Sequence, residues 1–195
     1  MALKIGIAGP VGSGKTSLIE SLTNLLKDKY SLAIVTNDIY TTEDANYLKE
    51  HLDLDSNRIT GVETGGCPHT AIRDDISMNQ KAVVELEQKF SPDIIFVESG
   101  GDNLSATFSY ELIDYYMYII DVAQGADIPR KKGAGLLFSD LLVVNKTDLA
   151  PYVDVDLDLM KSDVSNNRKN KPSVFISKKD KESLNQVVSW IEALI

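Results

Sequence analysis

Eight residues near the start of the chain, Gly9-Pro10-Val11-Gly12-Ser13-Gly14-Lys15-Thr16, follow the pattern G-x-x-x-x-G-K-[ST] directly after a short apolar run. Glycines in such a loop let successive main-chain N–H groups turn inward onto phosphate oxygens. Lys15 can reach the β- and γ-phosphates, and the Thr16 hydroxyl can ligate Mg²⁺ at a helix N-terminus whose dipole favours anions. A turn serving only chain reversal would not need Lys-Thr at its end. Mg²⁺ prefers oxygen ligands and usually keeps several waters, so one or two carboxylates beyond Thr16 suffice. Asp38, Glu63 and Glu98 are the candidates, in Thr36-Asn37-Asp38, Val62-Glu63-Thr64-Gly65-Gly66 and Ile94-Ile95-Phe96-Val97-Glu98. Glu98 stands where an Asp is usual, which suits contact through water; for each acid a helix N-cap or a solvated loop is the alternative. Lys15, Thr16 and Asp38 are the expected catalytic residues.

A second constellation, Asn145-Lys146-Thr147-Asp148, follows the apolar run at residues 141–144 and has the N-K-x-D form of a guanine-reading loop. An Asp148 carboxylate accepts from guanine N1–H and the 2-amino group together. Adenine offers neither donor there, and an unpaired buried carboxylate is costly. Lys146 can lay its aliphatic stem on the base, and Asn145 can tie this loop to the phosphate loop or bond the base. For hydrolysis the sequence offers no obvious water-positioning Gln; Arg130 is a weak candidate for charge stabilisation, a solvated basic loop being the simpler reading. Slow intrinsic turnover is expected. Gly65-Gly66-Cys67-Pro68-His69 sets a thiol and an imidazole two residues apart, a pair that can chelate a transition metal, although a small buried Cys beside a surface His is the ordinary alternative. His51, in a charged stretch, reads as a surface histidine.

These residues need a scaffold that brings strand ends together. Runs rich in Ile and Val at residues 3–8, 32–36, 94–97, 118–122, 141–144 and 174–176 lack in/out alternation, as strands buried on both faces of a parallel sheet do. Between them lie helical stripes: Leu18, Ile19, Leu22, Leu25 and Leu26; Ile72, Ile76, Val83, Leu86 and Phe90 within a helix over residues 71–90, stopped by Ser91-Pro92; and Leu184, Val187, Val188, Ile191, Leu194 and Ile195. Residues 165–171 (SNNRKNK) read as a surface loop, and residues 154–158 are too short a pattern to separate strand from helix. The expectation is an α/β protein, a three-layer P-loop NTPase with a mostly parallel central sheet flanked by helices, as one domain over residues 1–195.

Composition narrows the class. The 195 residues carry 20 Lys and Arg against 29 Asp and Glu, a net charge of −9, with 43% hydrophobic residues. That content fills one core, and the acidic balance argues against nucleic-acid or anionic-membrane partners. One Cys cannot close an internal disulfide, and neither a signal peptide nor a spanning apolar run is visible, so a cytoplasmic protein is expected. One Cys and two His also fall short of a four-ligand site within one chain.

Blocks at residues 9–16 (GPVGSGKT), 35–41 (VTNDIYT), 63–73 (ETGGCPHTAIR), 98–109 (ESGGDNLSATFS), 120–130 (IDVAQGADIPR) and 145–153 (NKTDLAPYV) together resemble the UreG family, the nickel-delivering GTPases of urease maturation. The resemblance runs through nearly the whole chain. It implies a SIMIBI-class P-loop GTPase fold and a GTP-dependent homodimer with nickel held across it by Cys67 and His69. It also implies residues 9–16 as the nucleotide loop and Asn145, Lys146 and Asp148 as the guanine site. Implied partners are apo-urease and the accessory proteins UreD/UreH, UreF and UreE. Two departures stand out. Phe175-Ile176-Ser177-Lys178-Lys179 replaces the usual Thr-Asn-Leu-Lys type of sequence, so Ser177 is not assigned to the base. No His-rich stretch precedes the phosphate loop, so no nickel-storage role is expected.

On this reading GTP and Mg²⁺ order residues 63–66 and present Cys67 and His69, and a second subunit supplies the same pair. Two thiolates and two imidazoles suit square-planar Ni²⁺ or tetrahedral Zn²⁺. The rivals are a hydrogenase-maturation nickel GTPase, a P-loop small-molecule kinase, for which the N-K-x-D loop has no purpose, and a nucleotide-binding scaffold without turnover.

Overall fold

The structure, a computed structural model, describes residues 1–38, 41–66, 69–101, 104–105, 107–169 and 171–195. The chain runs β1 (Leu3–Ala8), α1 (Lys15–Leu26), β2 (Leu32–Asp38), α2 (Glu43–His51), β3 (Ile59–Glu63), a π-helical turn (Thr70–Asp74), α3 (Ser77–Phe90), β4 (Ile94–Glu98), β5 (Tyr115–Asp121), α4 (Ala134–Phe138), β6 (Leu141–Asn145), α5 (Leu157–Arg168), β7 (Ser173–Phe175) and α6 (Lys181–Glu192), with short 3₁₀ turns between. Among the described residues seven strands form one sheet in the order β3-β2-β4-β1-β5-β6-β7, every pairing parallel.

The missing alternation has a direct cause. Ile5, Ile7, Ile94, Phe96, Met117 and Ile119 pack with residues of α1, α2 and α6 on one face. Their strand neighbours Ile95, Val97, Tyr118 and Ile120 pack with residues of α3, α4 and α5 on the other. Both faces of the sheet are covered, so both sets of side chains are apolar and the expected three-layer architecture is present. Parallel strands all finish on one rim, where the loops after β1, β2, β4, β5 and β6 meet.

Two local expectations change and one open stretch is decided. The helix over residues 71–90 is two elements: the Asp75 N–H donates to the Thr70 carbonyl, closing the wide π-turn, and Asp75 Oδ1 then accepts from the Ser77 N–H and hydroxyl, starting α3 afresh. The stretch 165–171 is not a surface loop throughout, because α5 extends to Arg168 and buries that side chain at 3% exposure. Within residues 154–158, which the sequence left open, the chain turns into α5 at Leu157, whose N-cap Asp156 accepts from the N–H groups of Asp158 and Leu159. Strand β3 and helix α2 had no sequence signal; α2 buries only Ala45 and Leu48, too few to draw a stripe.

Candidate nucleotide site

Directly beyond β1, Gly14 enters α1 with φ of 95°, and a Cβ there would stand 2.5 Å from Asn145 Nδ2, so any other residue would be strained and would displace the Asn145 amide. At Gly12, with φ of 78°, a Cβ would meet nothing within 4 Å, so the backbone conformation and not crowding calls for glycine there. Lys15 is buried, and its Nζ donates to the Gly9 carbonyl at 3.2 Å and the Pro10 carbonyl at 3.4 Å, folding the ammonium over the loop. Around it lies a cavity of about 480 Å³ lined by Gly12, Lys15, Thr16, Asp38, Asp44 and Tyr47, among others. A wider concavity of about 920 Å³ opens at the opposite end of the sheet, near Met1, Lys4 and Leu194, and holds none of the candidate residues.

The Thr16 hydroxyl donates to Glu98 Oε1 at 2.6 Å, joining the start of α1 to the end of β4. Glu98 is fully buried, and Oε2 has no hydrogen-bond partner among the described residues. Burial pushes this carboxyl up to about 8, with the Asp44 charge adding to it; Lys15 and the Thr16 hydroxyl pull the other way. Asp38 is half-buried at the end of β2 and accepts from the Thr41 hydroxyl at 2.6 Å. Glu63 pairs with Asp38 in strand register, yet its exposed side chain lines a separate hollow with Thr42, Met78 and Lys81. Among the described residues no cluster of three or more His, Cys, Asp and Glu side chains stands close enough to hold a metal ion. Thr16, Asp38 and Glu98 offer a hydroxyl and two carboxylates, one of them keeping the unpartnered Oε2, a donor set that fits Mg²⁺ with waters and phosphate completing its shell. Asp44 and Tyr47 reach this cavity from α2, an element the sequence did not announce.

On the other side of the loop the Asn145 side chain donates to the Ser13 carbonyl at 3.0 Å. Lys146, in left-handed backbone with φ of 58°, donates through Nζ to the Gly12 carbonyl and pairs with Asp121 Oδ2 at 3.2 Å. Asp148 Oδ1 accepts from the Ser177 hydroxyl at 2.8 Å, while Oδ2 pairs with Lys179 Nζ at 2.8 Å. Lys179 and then Ser177 hold this carboxyl below the usual carboxylate range. Ser177 therefore orients the candidate base-reading carboxylate, a role its departure from the family pattern concealed; Asp121 and Lys179 likewise had no sequence signal.

Beyond β3 the Thr64 N–H and hydroxyl both reach the Asp38 carbonyl, at 2.9 and 3.2 Å. Cys67 lies outside the described residues. His69 is half-buried and opens the π-turn. Arg130 does not line the cavity; its guanidinium pairs with Asp163 of α5 at 3.0 Å. His51 stacks on Tyr47 at the surface, ring centroids 4.1 Å apart.

The sheet order and the loops gathered on its rim define a P-loop nucleotide-binding domain, and a family model described as CobW/HypB/UreG, nucleotide-binding domain matches residues 3–175. The urease accessory protein UreG of Aliarcobacter butzleri (strain RM4018) is 87% identical over 195 residues, all of both chains. That of Lysinibacillus sphaericus (strain C3-41) is 56% identical over 191 residues, 97% of this chain and 91% of the relative. The chain belongs to the UreG family of urease accessory proteins. In fold it is similar to the hydrogenase maturation factor HypB of Archaeoglobus fulgidus, with a TM-score of 0.78 at 20% identity over 99% of this chain and 90% of that one. HypB from Helicobacter pylori in complex with nickel gives 0.79 at 18% identity, over 98% and 86%.

Proposed function

We propose that this chain is a GTP-hydrolysing metallochaperone that binds nickel in a GTP-dependent homodimer and delivers it to apo-urease together with the other accessory proteins. The observation that carries the reading is the join between Thr64 and Asp38, which fastens the segment leading to Cys67 and His69 onto the magnesium side of the nucleotide site. Lys15 takes the β- and γ-phosphates in the cavity it lines with Gly12. Mg²⁺, when bound, neutralises charge on those phosphates. Thr16, Asp38 and Glu98 would hold it, while Glu63 lines its own hollow and is the weakest of the four candidates. Asn145 and Lys146 fasten the base loop to the phosphate loop, and Asp148 reads the guanine edge.

Among the described residues the cavity lining holds neither Gln nor Arg, the usual groups that position water or offset transition-state charge. Intrinsic turnover is accordingly slow, and assembly with partners is where acceleration enters. Nickel is cargo here: Cys67 and His69 from each of two subunits make a four-ligand site that one chain cannot make alone.

Sedimentation with nickel counted per chain tests this, in GTP, GDP and ATP in parallel. One nickel per two chains in GTP alone is expected, with Cys67→Ala still binding GTP but losing the metal. A nickel-loaded monomer, or assembly driven equally by ATP, overturns the reading.

A further inference from the structure

Below the two sites runs a line of buried amides. Asn37, fully buried at the end of β2, donates through Nδ2 to the Glu98 carbonyl at 2.9 Å. Its Oδ1 accepts from Asn79 Nδ2 at 2.6 Å, and the same Nδ2 donates to the Ala71 carbonyl at 2.9 Å, inside the π-turn that His69 opens. Asn79 is fully buried too.

We propose that Asn37 and Asn79 are positioning residues, a buried couple that transmits the state of the phosphate site to the turn behind His69. Four observations carry it. Asn37 and Asp38 are consecutive, and between them they hold both ends of the segment 64–71: Thr64 through the Asp38 carbonyl, Ala71 through Asn37 and Asn79. The other end of the couple is the Glu98 main chain, whose side chain bonds Thr16. Asn79 also occupies the buried stripe of α3 with Ala82, Val83 and Leu86, where an apolar side chain would be the stabilising choice and an amide needs partners. Finally, Asn79 Oδ1 has no partner among the described residues. That acceptor is open to a donor in a second arrangement of the turn. The π form of that turn, which closes one residue wider than an α-helical turn, has a second arrangement available in the ordinary α register. A displacement of the Asp38 main chain thus passes to Ala71 through two hydrogen bonds in series, and one of the Glu98 main chain through three.

The proposal rests on the reading of His69 as a metal ligand, and the test separates the two. The chain has only two histidines, so His51→Gln leaves a single imidazole signal in an NMR spectrum. In that background, exchanging Mg²⁺·GDP for a non-hydrolysable GTP analogue with Mg²⁺ shifts the His69 signal. Asn79→Leu abolishes the shift while nucleotide affinity stays at the parental value. In parallel, nickel bound per chain in GTP relative to GDP falls to a ratio near one in Asn79→Leu, from a large ratio in the parent. Survival of the His69 shift in Asn79→Leu overturns the couple. A parent whose nickel binding ignores the nucleotide overturns the metal reading instead, and the His69 signal still decides the couple. Thermal melting checks that the variant folds; Asn79→Ala serves for the same comparison should Leu not fit.

Discussion

Asp148 has each carboxylate oxygen already engaged, one by a hydroxyl and one by an ammonium. On the proposed reading guanine brings two donors to the same carboxylate, which would require the exposed Lys179 to move aside or share its oxygen, while Ser177 can keep its bond on a second lone pair. Removing the ammonium in Lys179→Met is expected to raise the Asp148 pKa toward the ordinary 3.8, because Lys179 is the leading cause of its depression. A carboxyl-detected NMR titration measures this; an unmoved pKa would assign the depression to Ser177 alone. Arg168 is the opposite kind of residue, hidden within SNNRKNK. Its guanidinium donates to the Leu136, Ser139 and Pro172 carbonyls and to the Ser139 hydroxyl, capping the C-terminal end of α4. Burial lowers its pKa to about 10, still well above neutrality. Arg168→Met leaves those carbonyls without donors and is expected to cost about 2–4 kcal/mol, read from urea denaturation.

Helix α6 begins four residues beyond Ser177, and its N-cap Asp180 serves both. Its side chain accepts from the N–H groups of Glu182 and Ser183, its N–H donates to the Ser177 carbonyl, and its own carbonyl accepts from the Ser183 hydroxyl. Asp180→Ala should cost about 1 kcal/mol of stability and raise amide exchange through residues 177–183, with the end of β1 unaffected as an internal control. The elements legible in the sequence were those with long apolar signals: the central strands and the stripes of α1, α3 and α6. Edge strand β3 was not, because its five residues include Gly61 and leave Glu63 exposed. The continuous helix expected over 71–90 failed for a reason periodicity does not encode, the competition of Asp75 for the Ser77 N–H. The same division holds for the site. Loops with fixed spacing, residues 9–16 and 145–148, were readable, whereas Asp44, Asp121, Asn79 and Lys179 reach their places only through tertiary packing.

At the scale of the whole molecule, Glu98 links folding to pH. Its folded pKa of about 8 lies above the ordinary 4.5, so the folded chain binds this proton more tightly than the unfolded one. The resulting stabilisation is complete below 4.5 and fades as pH climbs through about 8. Without nucleotide or divalent cation, the protein should therefore lose stability between about pH 4.5 and 8, and Glu98→Gln, which cannot ionise, should follow a flatter profile in thermal melts. An equally steep profile in Glu98→Gln would locate the titrating group elsewhere. Among the described residues no helix is long and apolar enough to cross a membrane. The exposed ion pairs, such as Lys81 with Glu85 and Lys161 with Asp158, add little to stability at ordinary salt.

Asn145 on Ser13 and Lys146 on Gly12 make two loops, far apart in sequence, into one piece of structure. If residues 145–148 hold the base as proposed, base and phosphates have a common gate for nucleotide exchange. Loosening either end slackens the grip on the other, so the lifetime of the bound state answers to a single opening event and not to two independent ones. A partner protein that pulled on the base loop alone would thereby reset the phosphate end, and with it whatever cargo depends on that end, without touching the cargo ligands at all.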